Sequence, residues 1–123
     1  MSRPEGDGPV HVSVVDNPDD SVVVTVRGNL DIDSATVLTT TLNQVLERPW
    51  PRIVVDLSGV EFCDSTGLSA FVVGHRRAGG AGGWVRLAAP STWMTQLLHT
   101  VGLTTRIEVY PTVGDALADR RQP

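Results

Sequence analysis

At 123 residues, with 41% apolar side chains and a net charge of −4, the chain has the length of one domain and enough apolar material for its own core. The acidic balance argues against a nucleic-acid footprint, and a single cysteine excludes an internal disulfide or a cysteine-based zinc site. No apolar run approaches a membrane span, no carboxylate spacing suggests a metal, and the polar N-terminus lacks a signal-peptide core, so the expectation is a cytoplasmic domain holding no metal or cofactor.

Residues 1–8 combine Pro, Gly and acids and predict a flexible tail. Val10, Val12 and Val14 alternate with His11 and Ser13, the period of a half-buried strand. The cluster from Asp16 to Asp20 is a turn, and Val22 to Val26 forms the second arm of a hairpin that Gly28 ends. Asp31 and Asp33-Ser34 offer N-caps for a first helix with its apolar stripe at Ala35, Leu38, Leu42, Val45 and Leu46. Pro49-Trp50-Pro51 stops that helix and leaves Trp50 exposed. Ile53 to Leu57 is an unbroken apolar run apart from Asp56, the mark of a strand buried on both faces near the sheet centre. Ser58-Gly59 breaks it.

Asp64-Ser65-Thr66 supplies N-cap residues for a second helix with Leu68, Phe71, Val72 and His75 at helical spacing, ended by the glycines from 79 to 83. Val85 and Leu87 mark a fourth strand. Pro90-Ser91 opens a third helix with Met94, Leu97, Leu98 and Val101 on one stripe and Gly102 as its C-cap. Ile107 and Val109 form a short fifth strand, and Pro111-Thr112 opens a last helix through Val113, Ala116 and Leu117. Residues 120–123 are a tail, which leaves 9–119 as the domain. The order ββαβαβαβα predicts an α/β fold: one mixed, mostly parallel sheet of about five strands with about four helices. Trp84 and Trp93 are expected in or near the core.

In open α/β sheets, ligands and partners gather at the carboxyl ends of the strands. The loop after the third strand lies there and carries Asp64, Ser65 and Thr66. On spacing alone these residues are either plain helix caps or a hydroxyl acceptor presented where a helix N-terminus favours phosphate. Catalysis is not indicated. No Gly-x-Ser-x-Gly elbow accompanies His11, His75 or His99, and no Lys-Ser/Thr follows the glycines at 79–83 as a phosphate-binding loop requires. His75-Arg76-Arg77 reads as a solvated helix end, and Cys63 as an inert buried thiol.

From Val10 to Ala118 the chain resembles the STAS-domain anti-anti-sigma factors (anti-sigma factor antagonists) of bacteria. The resemblance rests on Val55-Asp56-Leu57-Ser58 running into Phe62-Cys63-Asp64-Ser65-Thr66-Gly67-Leu68. Gly28-Asn29-Leu30-Asp31, Gly79-Gly80 and Val101-Gly102-Leu103 support it, although Asn29 stands where the family commonly has Glu. The resemblance implies a non-enzymatic partner switch on the STAS fold. The unphosphorylated protein would bind a GHKL-type anti-sigma factor, a serine kinase, and release a sigma factor. Phosphorylation at Ser65 would end that binding, and a PP2C-type phosphatase would reset it. Asp31, Asp64, Ser65, Thr66 and Gly67 are the partner-binding residues so implied. Two alternatives remain open on the sequence: a scaffold domain of a stress-signalling complex, and a small-ligand-binding STAS domain.

Overall fold

The computed structural model describes residues 10–120. The expected tail at 1–8 and residues 121–123 lie outside them, while Arg120 is held to Asp115 by backbone and side chain. The elements are β1 (His11–Asp16), β2 (Val22–Leu30), α1 (Ala35–Leu46), β3 (Arg52–Cys63), α2 (Ser65–Gly80), β4 (Trp84–Ala88), α3 (Thr92–Thr100), β5 (Val109–Tyr110) and α4 (Val113–Ala118). A 3-10 turn, Leu103–Thr105, lies between α3 and β5. The five strands form one sheet in the order β1-β2-β3-β4-β5. Only β1 and β2 pair antiparallel; the other neighbours are parallel, as strand–helix alternation requires.

β3 is the central strand, and Ile53, Val54, Val55 and Leu57 have no exposed surface. Its side chains alternate between two cores. Ile53, Val55 and Leu57 join Leu38, Leu42, Phe71, Met94 and Leu98 beneath α1, α2 and α3. Val54 faces the other way, with Ala88, Tyr110 and Ala116 under α4. On that second face Arg86 lies 3.7 Å from the Trp84 ring centroid, and its Nη1 donates 2.8 Å to the Ala116 carbonyl. The Tyr110 hydroxyl bonds to Asp119, so together with the Arg86 bond it ties the C-terminal half of α4 to the sheet.

The strands differ from the sequence reading where β2 and β3 meet. Gly28 does not end β2, and Ser58-Gly59 does not end β3. The pairing continues to Asn29↔Phe62 and Leu30↔Cys63 through two register shifts. Gly28 takes the positive φ of 99° that such an irregularity uses. At Gly59 a Cβ would stand 2.7 Å from Arg27 Cγ and 3.2 Å from the Val26 carbonyl, so only glycine lets the strands approach. Ladder pairing thus overrides local turn composition, and β3 reaches well past the end of β4.

Four further expectations change. β1 is an edge strand whose Val14 and Val15 are exposed, so its burial is confined to Val12 and the preceding Val10. α2 runs through Gly79 and Gly80 and turns out at Gly82, φ 83°. Trp93 sits on the outer side of α3 and is exposed, while Trp84 is half-buried under Arg86. Val101, expected on the apolar stripe of α3, is 47% exposed because the helix has already ended at Thr100.

The central placement of β3 predicts the outcome of a charge inserted there. Val54→Asp or Val55→Asp puts an unpaired carboxylate into a fully buried site, at a cost comparable with the about 5–15 kcal/mol stability of a whole domain. Neither variant is expected to show a cooperative thermal transition by circular dichroism. A wild-type melting temperature in either would refute the placement.

Candidate functional site

The extra length of β2 and β3 builds a pole at the carboxyl end of the sheet. Asp64 follows β3 directly, and its backbone N–H donates 3.0 Å to the Leu30 carbonyl at the end of β2. This bond sets the β2–α1 loop beside the start of α2. Asp64 is the N-cap of α2, with extended backbone angles, and its carboxylate accepts 2.9 Å from the Thr66 N–H. Its one carboxylate oxygen therefore covers an amide that the helix start leaves bare.

Gly67 fixes how deep that start sits. A Cβ on it would lie 2.9 Å from Cys63 Sγ and 2.9 Å from Leu30 Cβ. The first turn of α2 is thereby pressed onto the ends of β2 and β3, and Gly67 and Leu68 are buried. Ser65, one step round the helix, is thrown outward: it is exposed, and its hydroxyl makes no hydrogen bond among the described residues. Thr66 is half-buried and lines a groove with Leu42, Leu46 and Ala70 between α1 and α2. Of the Asp-Ser-Thr triplet, the aspartate caps, the threonine packs sideways and the serine is left presented.

Asp31 is in the same pole but is committed to its own loop. Its Oδ1 accepts from the N–H groups of Asp33 (3.1 Å) and Ser34 (3.0 Å) and from the Ser34 hydroxyl (2.9 Å). The Ser34 hydroxyl bond is the main reason its acidity is strengthened below the ordinary value of 3.8. Ser34 holds the N-cap position of α1 without a side-chain cap, because its hydroxyl turns back to Asp31 and the Asn29 carbonyl. The expected capping of α1 by Asp31, Asp33 and Ser34 is thus replaced by a closed loop that holds Asp31 rigid.

The pole also carries apolar side chains that sequence reasoning did not single out. Ile32 is 73% exposed and Phe62 49% exposed. Phe62 pairs with Asn29 on the strand face opposite Cys63. The sequence signal available was the apolar run of Val60, Phe62 and Cys63 beyond Gly59, which the turn composition of Ser58-Gly59 masks.

Cys63 is buried, and its thiol is 3.5 Å from the Asp64 carbonyl. Burial first, and the Asp64 charge second, push its pKa up to about 12. Among the described residues no group of three or more His, Cys, Asp or Glu is placed to hold a metal. Nor is any of them in a helix long and apolar enough to cross a membrane.

A five-stranded mixed sheet with a rigid, bare hydroxyl at one pole defines a small α/β domain of the interaction type. The family profile described as "Mlab, STAS domain" matches residues 13–111, and the chain belongs to the STAS-domain family, on its anti-sigma factor antagonist side. It is 27% identical over 121 residues to the anti-sigma-F factor antagonist RsfB of Mycobacterium tuberculosis, covering 98% of this chain and 95% of that one. It is 31% identical to an anti-sigma factor antagonist of Mycobacterium paratuberculosis, with a TM-score of 0.83 over 99% of this chain and all of that one. At 19% identity it shares the fold of an anti-sigma factor antagonist domain from Planctomyces limnophilus, with a TM-score of 0.77 over 88% of this chain and 96% of the other.

Two outcomes test this geometry. Asp64→Ala removes the cap and is expected to lower unfolding free energy by about 1 kcal/mol in urea titration; no change would mean that the capping bond is not formed in solution. The folded thiol of Cys63 should react with a disulfide reagent only through unfolding at pH 8. Its pKa is raised on folding, so its stabilising effect is whole below its ordinary value of 9.0 and is lost as pH rises toward about 12. Rapid labelling of the native protein at pH 8 would contradict the burial.

Proposed function

We propose that this chain is a cytoplasmic anti-sigma factor antagonist of the partner-switching kind, with Ser65 as its phosphate acceptor. In the unphosphorylated state it binds a GHKL-type anti-sigma factor and so releases a sigma factor. The anti-sigma factor, acting as a serine kinase, transfers the terminal phosphoryl group of ATP to the Ser65 hydroxyl and releases ADP. A PP2C-type phosphatase hydrolyses the ester and restores the serine. ATP, magnesium and the catalytic base belong to the kinase in this scheme, so this chain is ligand and substrate, not enzyme. Asp31, Asp64 and Thr66 form the partner-facing surroundings of Ser65, and Gly67, expected among the partner-binding residues, is buried beneath them and acts by setting the depth of the helix start.

The observation that carries the reading is the exposed, unbonded Ser65 hydroxyl on a helix start that is otherwise capped and packed. A kinase can reach it without unfolding the domain. Thr66 is the poorer acceptor, because it is half-buried against the α1–α2 groove. A phosphate on Ser65 adds a charge of about −1.5 to −2 at neutral pH. The helix N-terminus offsets about 1 kcal/mol of that charge's cost, and the adjacent Asp64 carboxylate acts against it. One like-charge contact with a partner at about 5 Å and an effective dielectric near 20 costs roughly 3 kcal/mol, on the order of a hundredfold in affinity. Charge and added volume therefore suffice for a switch while the backbone stays as it is.

The test is incubation with the purified cognate anti-sigma factor and magnesium-ATP, followed by mass mapping of the modified residue. The reading expects a single phosphate on Ser65, none on Ser65→Ala, and normal phosphorylation of Thr66→Val. Phosphate on Thr66 instead of Ser65 would sink the assignment.

A further inference from the structure

Ser65 is not an isolated point on the surface. It forms the head of a groove of about 430 Å³ between α2 and the segment that follows α3. Leu68 and Val72 from α2, with Val101 and Leu103 from the far side, make its apolar walls, and Arg76 stands at its foot. The α2 residues that line it, 65, 68, 69, 72, 73 and 76, recur at helical spacing and form one stripe of the helix. Eleven helical steps of about 1.5 Å from Ser65 to Arg76 make the trough about 16 Å long. Val101 is 47% exposed in it, and Arg76 is exposed and makes no ion pair among the described residues.

From this geometry we infer that the groove from Ser65 to Arg76 is the seat of an amphipathic helix of the anti-sigma factor, whose apolar face lies on Leu68, Val72, Val101 and Leu103 and whose carboxylate meets Arg76. The inference rests on the proposed function and names the part of the partner that this site reads. Three features select the occupant. One wall is the helix α2 and the other the end of α3 running into the 3-10 turn, so neither offers an open strand edge on which an extended peptide could form a ladder. An apolar trough lined at helical spacing takes a helix through side chains alone. The cation at the foot is complementary to an acidic residue about three turns from the end that faces Ser65.

The arrangement also explains where the switch acts. Ser65 belongs to the wall of the groove, so a phosphate there places two charges at the mouth of an apolar seat. The partner helix would have to be withdrawn from the same trough that holds it, with no movement of α2.

The experiment is calorimetric titration of the unphosphorylated protein, and of variants shown folded by circular dichroism, into the purified cognate anti-sigma factor. Val101→Asp and Arg76→Glu should each weaken binding at least about tenfold. Val15→Asp, the same kind of change at an exposed position on the edge strand, should bind as wild type. Ser65→Glu reports on the switch separately. If Ser65→Glu weakens binding while both groove variants bind as wild type, the groove assignment is wrong and the switch stands. If the wild type itself does not bind, the functional reading falls and the groove falls with it. A dimer of this chain in sedimentation equilibrium that Val101→Asp abolishes would likewise overturn the assignment, by giving the groove to a second copy.

Discussion

The register between β2 and β3 is the constraint on which the functional pole depends. Two irregularities near Arg27 and Gly28 let the ladder continue to Leu30↔Cys63 instead of ending with β4. The Asp64 to Leu30 bond is the last rung of that ladder. It delivers the N-cap aspartate, and with it Ser65, to one fixed place relative to the β2–α1 loop. A slip of one residue would reverse which side chains point into the core and would bury Phe62 in place of Cys63.

Glycine makes that register possible and then uses it. Gly59 admits the close approach of the two strands, and Gly67 admits the close approach of α2 to their ends. Neither is a flexible point; each is a position where a methyl group has no room. The consequence is a hydroxyl held out by a stiff junction, not by a loop. A partner meeting such a site has little ordering entropy to offset, and a modification there changes charge and shape without changing the fold. Asp31, closed on its own loop by three hydrogen bonds to its carboxylate, is rigid in the same way.

Much of this was legible in the chain itself. The burial of Ile53 to Leu57, the alternation of strands and helices, and the Asp64 cap follow from apolar period and capping chemistry, which are local. The fold class and the position of Ser65 at a strand end were therefore open to inference. The extension of β3 was not, because Ser58-Gly59 carries turn composition and the force that overrides it is pairing with a strand some thirty residues away. Val101 was assigned to the core for a related reason: helical spacing continues through it, but the helix does not. Ile32 and Phe62 escaped notice because exposure of a large apolar residue is set by tertiary neighbours, not by its own sequence window.

The account makes one pole of the molecule the working surface and gives the opposite one, around Asp16, Trp50 and Gly82, no part in partner binding. Amide hydrogen exchange of the protein, alone and saturated with its anti-sigma factor, tests this division directly. The account predicts that new protection is concentrated in Asp31 to Ser34, Asp64 to Arg76 and Val101 to Thr105, with exchange near Trp50 and Gly82 unchanged. Protection concentrated at the Trp50 end, with none at the start of α2, would contradict it.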